Sequence, residues 1–223
     1  MWVKICGNTN VEDALEAAAL GANAVGFVFA PSVRQVSPQT VRAISAKLPA
    51  NVERVGIFAN ASIDHIASIA EEAALTTVQL HADFDLSFAL RLRAHLGEKL
   101  SVIQTMHWNV GHPEDSGPKI IEQLAALAES GEDDRVLIDA KVGKASGGLG
   151  VSFEWMDASN VLRGQPKLRV IVAGGLDPAN VANAIHQLQP WGVDVASGVE
   201  RRPGFKDFQK LRAFIENARG TNR

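Results

Sequence analysis

The chain has 223 residues, 46% of them apolar, and a formal net charge of −3. That is enough apolar material for the core of one large α/β domain, and the mild acidity argues against nucleic acid or an anionic membrane as a partner. A single cysteine excludes an internal disulfide and suits a reducing compartment.

The first strand is Trp2-Val3-Lys4-Ile5-Cys6, followed by Gly7 and Asn8. With period two, Val3 and Ile5 share one face and Lys4 and Cys6 the other. A lysine and a thiol on one face make sense where that face looks into an active centre. Val11 to Leu20 is rich in strong helix formers, and Gly21 closes it. Glu12 and Asp13 stand where a signal sequence would need apolar residues. The apolar run from Ala14 to Ala30 is broken by Glu16, Gly21, Asn23 and Gly26, so it does not supply the roughly 20 residues of a membrane span. A cytoplasmic protein is expected.

Asn23 to Phe29 is the second strand. Ser37-Pro38 gives an N-cap and a first-turn proline to a helix over Thr40 to Leu48. Val52 to Phe58 is strand three, and Ser62 caps a helix over Ile63 to Ala74. Thr77 to His81 is strand four, with its helix over Asp85 to Leu96. Leu100 to Thr105 is strand five, followed by a long loop from Met106 to Pro118 and a helix over Ile120 to Glu129. Arg135 to Asp139 is strand six; a glycine-rich loop, Gly143 to Gly150, then leads to a helix over Phe153 to Leu162. Leu168 to Val172 is strand seven, with its helix over Pro178 to Leu188. Val193 to Ala196 is strand eight, and Asp207 to Ala218 is the last helix.

Eight strands, each followed by a helix, imply a parallel sheet covered on its outer face. At this length they suggest one (β/α)8 barrel domain over residues 1–223, with an open doubly wound sheet as the alternative. In such a barrel the chemistry lies at the C-terminal strand ends. Those ends carry Cys6 (strand one), Arg34 in the loop after strand two, Gln79 and His81 (strand four) and Asp139 (strand six). Strand seven ends in Ala173-Gly174-Gly175, and strand eight in Ala196-Ser197-Gly198-Val199-Glu200. Glycine-bearing turns after strands seven and eight match the phosphate cradle common in this architecture, so Gly174, Gly175, Ser197 and Gly198 are expected to hold a phosphate. Cys6 and Asp139 form a possible acid–base pair. A thiol near its ordinary pKa is only a few per cent thiolate at neutral pH, and Lys4 on the same face is placed to raise that fraction.

These segments resemble the phosphoribosylanthranilate isomerase family. The resemblance is carried by Val3-Lys4-Ile5-Cys6-Gly7, Gly26-Phe27-Val28-Phe29 with Arg34, Val78-Gln79-Leu80-His81 and Asp139. It continues through Gly147-Gly148-Leu149-Gly150, Ala173-Gly174-Gly175-Leu176, Ser197-Gly198-Val199-Glu200 and Pro203-Gly204-Phe205-Lys206-Asp207. It implies a (β/α)8 fold and an Amadori rearrangement of a phosphorylated small molecule in tryptophan biosynthesis, without metal or cofactor. By the same resemblance Asp139 is the general acid, Cys6 the general base and His81 a substrate-binding residue. Arg34 faces the substrate's aromatic carboxylate, which a planar fork of donors suits. The chain departs from the family pattern at Leu149, Ala82, Ala140 and Ala196, none of them the implied acid or base.

Three other readings differ in class or chemistry. One is a metal-dependent sugar-phosphate epimerase with His81, His107 or Asp139 as ligands, although His107 is expected beyond the end of strand five. Another is an aminoaldose isomerase of the histidine pathway, a resemblance that would call for an aspartate where this chain has Cys6. The third is a non-catalytic sugar-phosphate binder. A monomer or a homodimer is expected. Spacing gives one more expectation. Lys4 and Asp194 each lie two residues before the end of neighbouring strands, so they should form an ion pair beneath the catalytic floor, with charged atoms within about 4 Å.

Overall fold

The alternation of strands and helices builds a closed ring. In the computed structural model, which describes residues 1–109, 113–130, 135–141 and 168–220, the strands follow chain order around a barrel. They are β1 (Trp2–Ile5), β2 (Ala24–Val28), β3 (Glu53–Phe58), β4 (Thr77–Leu80), β5 (Ser101–Asn109), β6 (Arg135–Lys141), β7 (Arg169–Ala173) and β8 (Gly192–Val195). Each neighbouring pair is parallel, and β1 closes the ring on β8, which excludes the open doubly wound sheet.

The helices are α1 (Val11–Ala19), α2 (Pro38–Ser45), α3 (Ile63–Glu72), α4 (Leu86–Leu96), α5 (Pro113–Glu129), α6 (Val181–Leu188) and α7 (Phe208–Gly220). Short polar side chains start several of them. Asn10, Ser37, Ser62 and Asp85 each accept a hydrogen bond from a backbone N–H of the first turn, as N-caps do. None of the described helices is long and apolar enough to cross a membrane.

Alternation along the strands sorts the side chains. Val3 and Ile5 of β1 pack outward with the helices, in the cluster that also holds Phe27, Val193 and Phe214. Trp2, Val55, Ile103, Leu137 and Ile171 fill the barrel interior, with Cys6 packed against them. Near the N-terminal end of the barrel, Glu53 accepts from Trp2 Nε1 at 3.0 Å, Arg135 Nη1 at 2.7 Å and Thr77 Oγ1 at 2.9 Å. The half-buried carboxylate is tolerated there because its oxygens are met by donors, one of them charged.

Two segments differ from the sequence reading. The stretch read as a loop from Met106 continues β5, and α5 starts at Pro113. Met106 and Trp108 face outward into a second apolar cluster with Ile120 and Leu124. His107 therefore belongs to β5 instead of lying past its end, and it pairs in register with Asp139. After β8 the chain makes a 3-10 turn, Ser197–Val199, and then a small antiparallel ribbon of β9 (Glu200–Arg202) and β10 (Phe205–Lys206) closed by Pro203 and Gly204. The Gly143–Gly150 loop with Leu149, and the helix expected over Phe153 to Leu162, lie outside the described residues.

Candidate active site

A cavity of about 580 Å³ opens at the C-terminal ends of the strands. Cys6, Arg34, His81, Asp139, Gly174, Gly175 and Ser197 all lie on its wall, so seven of the eight residues expected from the sequence meet in one place. Gly198 stands next to the wall residue Ser197 and is tightly packed. A Cβ there would run into the carbonyl oxygen of Leu176, so the turns after β7 and β8 touch through that glycine.

The cavity floor is polar and crosses the barrel. Lys4 is fully buried, and its Nζ lies 3.0 Å from Asp194 Oδ2. The register pairs Lys4 directly with Asp194, so the ion pair expected from spacing is present. The same ammonium donates to Gln79 Oε1 at 2.6 Å, and Gln79 Nε2 donates to Thr105 Oγ1 at 3.2 Å. Burial by itself pushes Lys4 toward its neutral form, but the Asp194 carboxylate, with a smaller contribution from Cys6, holds its pKa above the ordinary value.

Cys6 stands just past β1. Burial is the main reason its pKa is raised; the positive charges of Lys4 and Lys206 pull it back, while Asp194 pushes it further up. The thiol needs a glycine beside it. A Cβ on Gly26 would sit 2.9 Å from Cys6 Sγ and 3.1 Å from Ile57 Cδ1. Gly7 serves the next residue of the site. Its φ is +71°, and a Cβ there would meet Arg34 Cδ at 2.6 Å, so the arginine side chain crosses the cavity mouth over bare backbone.

Arg34 is held by a carboxylate. Its Nε and Nη2 donate to Glu200 Oε1 and Oε2 at 2.8 and 2.6 Å, a fork-to-fork contact. That contact uses one edge of the guanidinium and leaves the Nη1 edge for a ligand. Glu200 also pairs with Lys206 Nζ at 3.3 Å and accepts from Gly204 N at 3.2 Å. Burial would raise the Glu200 pKa, but the Arg34 hydrogen bond and the charges of Lys206 and Arg34 outweigh it and hold the carboxyl below its ordinary value. Lys206 Nζ further donates to the backbone oxygens of Cys6, at 2.5 Å, and Ala196, at 3.3 Å. Its pKa is lowered, chiefly by burial. Neither Glu200 nor Lys206 stood among the site residues read from the sequence. Both belong to motifs that carry the family resemblance, and a buried acid–base couple near a strand end was the available signal.

Gly174 and Gly175 adopt φ values of +91° and +66°, a turn open to glycine and strained for other residues. Asp177 stiffens the adjoining turn by accepting from Ala179 N and Asn180 N, while Asn180 Nδ2 donates to Gly175 O at 2.9 Å. On the other side, His81 Nε2 lies 3.9 Å and His107 Nδ1 4.0 Å from Asp139 Oδ2, and the two imidazoles meet edge to face with centroids 4.9 Å apart.

A closed (β/α)8 barrel with a thiol, a carboxyl, a tethered arginine and glycine turns around one rim cavity defines an acid–base enzyme for a small anionic substrate. The family model for N-(5'-phosphoribosyl)anthranilate (PRA) isomerase matches residues 3–217. The N-(5'-phosphoribosyl)anthranilate isomerase of Thermotoga neapolitana is 44% identical over 220 residues, 98% of each chain. The crystal structure of the Thermotoga maritima phosphoribosyl anthranilate isomerase superposes with a TM-score of 0.81 at 37% identity, covering 99% of both chains. A phosphoribosyl anthranilate isomerase solved in complex with reduced 1-(o-carboxyphenylamino)-1-deoxyribulose 5-phosphate gives a TM-score of 0.78 at 36% identity, again over 99% of both chains. The chain belongs to the N-(5'-phosphoribosyl)anthranilate isomerase family.

Proposed function

We propose that the chain converts N-(5-phosphoribosyl)anthranilate to 1-(2-carboxyphenylamino)-1-deoxyribulose 5-phosphate, an Amadori rearrangement of tryptophan biosynthesis, by acid–base chemistry of its own side chains and in the cytoplasm. One observation carries the reading: Cys6 and Asp139 share the wall of a single cavity with Arg34 and the turns at Gly174-Gly175 and Ser197.

Asp139 donates a proton to the furanose ring oxygen, and the ring opens to a Schiff base. Cys6 then removes the proton from sugar C2, giving an enolamine that tautomerises to the ketone. The base must act as thiolate, which Lys4 and Lys206 favour against burial. The free edge of Arg34 faces the anthranilate carboxylate while Glu200 fixes the guanidinium plane. Backbone N–H groups of the glycine turn and of the Ser197 turn receive the phosphate. His81, close to Asp139, lies against the sugar.

The test generates phosphoribosylanthranilate in situ and follows the loss of its fluorescence. The purified chain should turn it over; Cys6→Ser should lower kcat by orders of magnitude with an unchanged circular dichroism spectrum, because a serine hydroxyl is far too weak a base. Asp139→Asn should abolish turnover yet still bind the reduced product analogue, since the amide keeps the shape but gives no proton. Near-native turnover in either variant would remove that residue from the mechanism.

A further inference from the structure

Three strand ends in a row bring together two imidazoles and a carboxylate. His81 follows β4, His107 lies in β5 and Asp139 in β6, and these strands are consecutive in the barrel. His107 and Asp139 are register partners on one face. The backbone N–H of His81 is fixed by the carbonyl of Phe58 at 2.8 Å. One donor atom from each of the three side chains lies within 4.8 Å of the other two.

We propose that His81, His107 and Asp139 form a three-ligand site for a borderline divalent cation, Zn²⁺ above all, and that the bound ion inhibits the enzyme by taking the Asp139 carboxylate. The binding half stands on geometry; the inhibition half rests on the role given to Asp139 above.

The distances suit a collapsible shell. An ion midway between donors no more than 4.8 Å apart sits at most about 2.8 Å from each, so shifts well under 1 Å bring all three to the roughly 2.0–2.2 Å of Zn–N and Zn–O bonds. The side chains have room to make those shifts, at 34%, 24% and 21% exposure for His81, His107 and Asp139. The near-perpendicular rings, 88° between planes, bring two nitrogens toward one carboxylate without stacking. Two imidazoles and one carboxylate select zinc or its neighbours over magnesium and calcium, which prefer all-oxygen shells. Because His81 and Asp139 line the cavity, the fourth position of the ion opens toward it and is left to water, in the space the substrate would occupy.

The same chemistry explains why such an ion hinders this reaction. A metal-bound carboxylate is held ionised and gives no proton to a ring oxygen, so the loaded site is an off state in competition with substrate.

The test strips the full chain with a chelator and titrates it with Zn²⁺ against a chromophoric competitor, without substrate. One equivalent should bind, and Co²⁺ in its place should give the visible absorption of a four-coordinate site. Asp139→Asn and His107→Ala should each weaken binding at least tenfold, with His107→Gln used if the alanine variant fails to fold. Cys6→Ser should bind as the wild type does. In the fluorescence assay Zn²⁺ should inhibit the wild type, the chelator should restore it, and rising substrate should relieve it. Binding unchanged by the His107 variants, or lost in Cys6→Ser, overturns the site. Stoichiometric binding without inhibition overturns the capture of Asp139. If the chain shows no isomerase activity at all, the titrations still decide the site on their own.

Discussion

Asp194→Asn tests the cavity floor. The substitution leaves Lys4 fully buried with Gln79 at 2.6 Å as its remaining strong acceptor. Removing one member of a buried ion pair typically costs about 3–5 kcal/mol. The asparagine carbonyl still accepts a hydrogen bond, so about 3 kcal/mol is expected, or a fall in Tm of roughly 6–12 °C for a chain of this size. The thiol should respond in the opposite sense to stability. Asp194 pushes the Cys6 pKa up and Lys4 pulls it down, so losing the carboxylate unmasks the ammonium and lowers the thiol pKa. Cys6 stands beyond Ile5, which pairs with Val195, so Asp194 lies on the neighbouring strand two residues further down the same face, and its charge acts on the thiol. The assay is the pH dependence of alkylation of the chain's single cysteine, read beside thermal melting. A thiol pKa that stays put or rises, with Tm unchanged, would refute the pair's role beneath the base. The double variant Lys4→Met/Asp194→Leu should be more stable than Asp194→Asn, because it leaves no buried charge unpaired.

Gly26→Ala should place its methyl group against Cys6 Sγ and Ile57 Cδ1; kcat should fall about tenfold or more while the fold is retained, as small misplacements of a reacting group do, and a fully active alanine variant would show that the thiol has slack. Glu200→Gln should release the Arg34 guanidinium, raising KM more than it lowers kcat; equal loss in both would mean that Glu200 acts on the chemical step. Glu200 also sets an acid limit. Its folded pKa is depressed, so its pairings stabilise fully above the ordinary glutamate value of 4.5 and are lost as pH falls through the lower folded value. Denaturant unfolding of wild type and Glu200→Gln should therefore differ at neutral pH and converge in acid, once the pH is below the depressed folded value; a gap that stays constant through the acid range would contradict the linkage.

The parts of the site legible in the sequence were those fixed by period two and by strand ends. Lys4 and Asp194 could be paired because neighbouring strands of a closed barrel place residues equally far from their ends at equal depth, and the register does so here. His107 was misplaced because Gly111, Pro113, Gly117 and Pro118 read as loop, whereas the alternation Met106 out, His107 in, Trp108 out already continued the strand. Pro118 lies inside α5, past its first turn, where it removes one backbone hydrogen bond of the helix, which is why it reads as a helix breaker in the sequence. The Arg34–Glu200 contact joins residues 166 positions apart, through a ribbon that short-range signals do not announce. Gly198 is expected at a phosphate turn because it stands at the right strand end; the tightness of its packing on Leu176 appears only in three dimensions.

The ribbon after β8 gives the site its coherence. Lys206 is buried at a cost, and the groups it holds explain why the cost is tolerated. Its ammonium gathers the carbonyl oxygens of Cys6 and Ala196 and one oxygen of Glu200, so a single charge ties the ends of β1 and β8 to the carboxylate that grips Arg34. Its backbone N–H is held in turn by Asp13 in the first turn of α1, at 2.9 Å. Cys6 and Arg34 are therefore positioned by one network. The third corner, Asp139 with its two histidines, belongs to neighbouring strands and to a separate set of contacts. Substitutions at Lys206 should accordingly disturb Cys6 and Arg34 together while leaving the geometry around Asp139 in place, which is the pattern expected of two independently held parts of one cavity wall.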